Sequence, residues 1–118
     1  ADYYNHRIQR YHVGVSIVGT TVAGGNGAGP GNHQLSLPYS VCVSKTTSAM
    51  YIADSGNNRI QWWSSGATAG ATLAGAGALT SNLSTSLSGT MDIRLSINDT
   101  DLYVSEMFYN TIWRFRLI

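Results

Sequence analysis

Few residues in this chain have the types and spacing for proton, metal or nucleophile chemistry. His6, His12 and His33 show no metal-ligand spacing, and the pattern of two histidines four apart around a glutamate is absent. Cys42 is the single cysteine, so neither an internal disulfide nor a cysteine-based zinc site is expected. No Gly-x-Ser-x-Gly nucleophile elbow occurs. The run from Gly24 to Gly31 offers amides without Cβ atoms, which suits an anion. It lacks a nucleotide-loop Lys-Ser/Thr ending and a following helix, and it reads as a flexible connecting loop. Asn98-Asp99-Thr100-Asp101 supplies too few oxygens for the six to eight that Ca²⁺ takes, and reads as a polar turn. Neither a catalytic residue, a metal nor a cofactor is expected from these patterns. Asn82 and Asn98 begin glycosylation-type triplets, which arise by chance in a chain rich in Ser, Thr and Asn.

Two sets of residues carry more information. Asp54 and Arg59 flank a short polar segment, and Asn57 and Asn58 between them tolerate left-handed backbone. Asp54 is therefore expected to accept N–H groups of its own turn, as an Asx turn does, with Arg59 close enough to pair. Asp2 and Arg7 repeat this spacing. These residues read as architectural latches. In the equivalent turns, Tyr3-Tyr4 and Met107-Phe108-Tyr109 put large apolar groups where Ser55-Gly56 puts small ones. Turn positions are ordinarily polar, so Tyr3, Tyr4, Met107, Phe108 and Tyr109 are the candidate binding residues.

The elements that position these groups follow from composition and self-similarity. The 118 residues are 43% hydrophobic and 11% charged, with 13 glycines, which fits a folded strand-rich chain better than a disordered or coiled-coil one. Seven basic and six acidic residues leave a formal charge of +1, and Lys45 is the sole lysine, so nucleic acid is not an expected partner. No apolar run is long enough to cross a bilayer. Laid on itself, the chain repeats. Ala1 to Gln9 matches Ala53 to Gln61, and 53 minus 1 sets the offset at 52 residues. A weaker copy, Ser105 to Trp113, keeps the acid, an Asn and the Ile. Gly19 to Gly24 matches Gly70 to Gly75 at an offset of 51, a slip that belongs in a loop.

Each unit reads as four short strands rich in Val, Ile, Tyr and Trp, placed in the middle copy at Tyr39–Ser44, Ala49–Ala53, Arg59–Trp63 and Ala71–Ala74. Helical periodicity is absent. Four strands in a unit of about 50 residues describe a propeller blade better than a helical solenoid.

The order apolar-Tyr-apolar-Ala-Asp-Ser-x-Asn-x-Arg-Ile-Gln, seen from Met50 to Gln61, followed by a Thr-Val-Ala-Gly strand and a Leu-x-x-Pro approach to the next unit, seen after the first copy at Thr21–Gly24 and Leu35–Pro38, resembles the NHL repeat of β-propellers. The resemblance covers nearly the whole chain. It is degraded in the last unit, where Glu106 replaces Asp, Thr111 replaces Arg and Thr90 stands where Pro38 has its counterpart. It implies an all-β partial propeller: residues 1–38 end one blade and its loop, 39–75 form a complete blade, and 76–118 form a loop and an incomplete one.

A closed propeller needs at least four such blades. The chain is therefore expected to be part of a longer propeller, with a ring of several copies as the second account. The resemblance further implies a non-catalytic scaffold that binds a protein on its loop face. The reading from another class is a propeller enzyme, a lyase or lactonase-like hydrolase with a metal in the central channel. That needs matching acid, Asn or His side chains from several blades, and the two units here do not display such a set.

Overall fold

A computed structural model of the chain describes residues 1–14, 17–75 and 87–117. Among the described residues there are nine strands and no α-helix. They are β1 (Arg7–Arg10), β2 (Thr20–Gly24), β3 (Pro38–Val43), β4 (Met50–Asp54), β5 (Arg59–Trp63), β6 (Ala71–Gly75), β7 (Thr90–Leu95), β8 (Asp101–Glu106) and β9 (Thr111–Arg116). They form three antiparallel sheets with orders β1-β2, β3-β4-β5-β6 and β7-β8-β9. The strands of the middle sheet start and end within one residue of the sequence expectation. Two single 3₁₀ turns, Tyr3–Asn5 and Ser55–Asn57, lead into β1 and β5.

The three sheets share one backbone plan. His6, Asn58 and Asn110 precede β1, β5 and β9 in the left-handed conformation, with φ of 53°, 52° and 50°. Leu37 and Gly89, one repeat apart, are also left-handed, with φ of 49° and 60°. Register shifts recur at matching places, between Ile8 and Gln9 and between Ile60 and Gln61, then between Pro38 and Ser40 and between Thr90 and Asp92. Gly24 and Gly75 end β2 and β6 at φ of 71° and 90°. A Cβ there would run into the carbonyl oxygen of His6 or Asn58, so the same close approach of strand to hairpin requires glycine in both units.

Packing repeats as well. Ile8, Ala23, Leu35, Met50, Ile52 and Trp63 form one buried cluster, with Val41 against it, between the first and second sheets. Ile60, Ala74, Leu87, Leu102, Val104, Phe115 and Ile93 occupy the matching positions between the second and third. The middle sheet is thus covered on both faces, which is why β4 reads apolar at almost every position instead of alternating. Ile112, the next counterpart of Ile8 and Ile60, is 69% exposed, whereas Ile60 is fully buried. Burying a side chain of this size stabilises by about 1.5–3 kcal/mol, a gain the third sheet's outer face does not collect here.

β3 and β7 lie side by side. Ser40 Oγ donates to Asp92 Oδ1 at 2.6 Å, and these are the same position in successive units. Further along, the hydroxyls of Ser44 and Thr46 donate to Asp99 Oδ2 at 2.6 and 3.0 Å. These bonds hold the carboxyls of Asp92 and Asp99 below the ordinary aspartate range, the serine hydroxyl being the main cause in each case. No helix among the described residues is long and apolar enough to cross a membrane.

Candidate functional site

The β4–β5 hairpin and the loop from Gly25 to Leu37 meet at one end of the sheets, and the latch residues lie at that junction. Asp54 is fully buried, and its Oδ2 pairs with Arg59 Nε at 2.7 Å. Asn57 Nδ2 donates to the same oxygen at 2.8 Å, while Oδ1 accepts the Ser36 backbone N–H at 2.6 Å. The expectation that Asp54 caps its own turn needs correction. Asp54 makes no side-chain cap bond to the 3₁₀ turn it precedes, and its Oδ1 is turned toward the preceding loop, where it meets Ser36.

Arg59 then directs three of its four other N–H groups to that loop. Nη1 donates to the Pro30 carbonyl at 2.8 Å, and Nη2 to those of Gly31 and Gln34 at 3.0 and 3.1 Å. Asn57 also donates to the Gly29 carbonyl at 2.9 Å. The glycine-rich run, expected to be flexible, is tied to the hairpin through the carbonyls of Gly29, Pro30 and Gly31.

The outer copies keep the plan with different chemistry. Arg7 Nε meets Asp2 Oδ2 at 2.7 Å and Asn5 Nδ2 meets Oδ1 at 2.9 Å, and the Arg7 bond is the main reason the Asp2 carboxyl lies below its ordinary range. In the third copy, Glu106 Oε1 accepts the Ser88 N–H at 2.7 Å, as Asp54 accepts that of Ser36. Its other oxygen accepts from Trp113 Nε1, which replaces the guanidinium lost where Thr111 stands for Arg. Sequence reasoning missed Trp113, Ser36 and Ser88. The signal was the preserved spacing, since both serines precede their acid by eighteen residues.

The candidate binding residues sit on the tips of these same hairpins. Tyr4 is 83%, Phe108 67% and Tyr109 64% exposed, with Met107 also open to solvent. Tyr3 is half-buried and packs edge-on against Tyr4, with ring centres 5.0 Å apart, and against Tyr39 at 6.1 Å. Tyr39, absent from the sequence-based set, then lines an open cavity of about 490 Å³ with Ser105, Glu106, Met107, Asn110, Thr111 and Ile112. Tyr39 thereby links the tyrosine pair of the first hairpin to Met107 of the third. Phe108 lies over Gly89, where a Cβ would strike its ring, and is held there rather than in the cavity.

The groups able to do chemistry remain apart. Among the described residues no three of His, Cys, Asp and Glu are grouped to hold a metal ion. His6 Nδ1 accepts the Leu37 N–H at 3.1 Å, a structural bond. Burial pushes the Cys42 thiol up to about 11, which disfavours the nucleophilic thiolate at neutral pH. Asn98 is exposed beside the Ser96–Asp101 turn bond, whereas Asn82 lies outside the described residues. No protein-family model matches the chain, and no curated protein matches it.

Proposed function

We propose that the chain contributes blades of an NHL-like β-propeller, a non-catalytic scaffold that binds a protein through the hairpin end bearing Tyr3, Tyr4, Tyr39, Met107, Phe108 and Tyr109. Two observations support the architecture. Successive sheets repeat their bulges and left-handed residues at one spacing. Equivalent positions of β3 and β7, Ser40 and Asp92, also touch, as they do when neighbouring sheets are related by rotation about an axis beside their first strands.

The observation that carries the functional reading is the exposure of aromatic and Met side chains on turn tips, beside a cavity lined in part by Tyr39 and Met107. Aromatic anchors beside a concavity are the groups that carry most binding energy in protein interfaces. The latches hold these tips on rigid hairpins, so little ordering cost opposes association.

Selection of a displayed library of natural protein fragments against the chain, followed by affinity measurement, tests this. Tyr4→Ala and Phe108→Ala should each weaken selected fragments at least about tenfold, or about 1.4 kcal/mol. Ile97→Ala, an exposed apolar change in the β7–β8 turn at the opposite end, should leave affinity unchanged. Fragments that respond to Ile97→Ala but not to the hairpin-tip variants would refute the assignment.

A further inference from the structure

A second cavity lies at the other end of the sheets. It measures about 520 Å³, within the 300–1,000 Å³ range of small-molecule sites, and its walls include Ile8, Val22, Val41, Val43 and Met50. The rim carries Gln9, Arg10, Tyr11, Ser48, Ser65 and Gly66. It separates the first sheet from the second at the tips of the β3–β4 and β5–β6 turns.

The repeat shows why the space exists. In the matching interface between the second and third sheets, Leu73, Leu95 and Leu117 pack against the buried cluster. Their counterparts around the cavity are Val22, Val43 and Ser65. Each of the three is smaller, so one interlayer space is filled and the equivalent one is left open. Interiors normally close to the density of an organic crystal, and three reductions around one void make that void a feature of this interface.

The lining also has a sign. No Asp or Glu faces the cavity, while Arg10 stands at its rim and makes no ion pair among the described residues. We propose that this cavity binds a small aliphatic monocarboxylate, its chain against Ile8, Val22, Val41, Val43 and Met50 and its carboxylate on Arg10. This site is separate from the hairpin tips and stands whether or not they bind a protein.

Methyl-detected NMR on the whole chain during titration with octanoate tests it. Saturable shifts of the Val22, Val41, Val43 and Met50 methyls are expected, with octylamine not binding. Arg10→Gln should weaken octanoate about tenfold and leave 1-octanol unchanged. The double variant Val43→Leu, Ser65→Leu restores the residue type of the filled interface; it should keep the fold, raise the melting temperature and abolish the shifts. Absence of shifts at millimolar octanoate would overturn the proposal. Equal binding of octylamine, unchanged binding by the filled variant, or shifts that track protein concentration instead of octanoate, the mark of self-association, would overturn it too.

Discussion

Asp54 and Asp2 hold the same place in two copies of one hairpin but differ in what their loss would cost. Asp54 and Arg59 are nearly free of solvent, whereas the side chains of Arg7 and Asp2 are 35% and 30% exposed. Removing Asp54 leaves a guanidinium buried without its counter-charge, so Asp54→Ala should lower unfolding free energy by about 3–5 kcal/mol. Asp2→Ala leaves Arg7 in reach of water and should cost far less than Asp54→Ala. Urea denaturation of the two variants checks this, and similar costs would show that the middle latch is not buried as described. The pairing itself was legible from residue spacing alone. The reach of Arg59 to Pro30, Gly31 and Gln34 was not, because it depends on how a glycine-rich loop of no fixed pattern folds back. The Glu106–Trp113 pair was hidden for a related reason: the substitution at Thr111 removed the letter that marks the latch, and a different side chain restored the bond from two positions away.

The hairpins and strands impose their own tests. Gly75 and Gly66 both have positive φ, 90° and 77°, but only at Gly75 would a Cβ meet backbone. Gly66→Ala should therefore cost about 1 kcal/mol, the penalty of a left-handed alanine, and Gly75→Ala clearly more, read as the difference in melting temperature. Equal shifts would contradict the close approach of β6 to the hairpin at Asn58. The bonds between sheets give a pH signature. The hydroxyls on Asp99 lower its carboxyl in the folded chain, so below about pH 4 the unfolded chain takes up the proton first. Stability present above the unfolded value is lost as pH falls through the folded one. Asp99→Asn, which suits the left-handed φ of 55°, should lower stability at pH 7 and flatten this acid limb. An acid limb as steep as that of the parent chain would remove Asp99 from the account. Strand positions were legible because β-branched and aromatic runs end abruptly at Gly, Asn and Ser. Tyr39 as the link between Tyr3 and Met107 was not, since the three belong to different sheets.

The molecule as a whole rests on two interlayer cores that are the same core one repeat apart. Ile8, Leu35, Ile52 and Trp63 pack together as Ile60, Leu87, Val104 and Phe115 do. The covered middle sheet, the open outer face at Ile112 and the cavity between the first two sheets all follow from that repetition and from where side-chain size departs from it. The proposed rotation of successive sheets, and with it the common direction of the hairpin tips, depends on the same packing. Methyl NOESY spectra of the whole chain test it most directly. The account predicts close contacts from Ile8 to Ile52 and, one repeat on, from Ile60 to Val104. Contacts within each sheet alone, or a pair present in one interface and missing from the other, would contradict it.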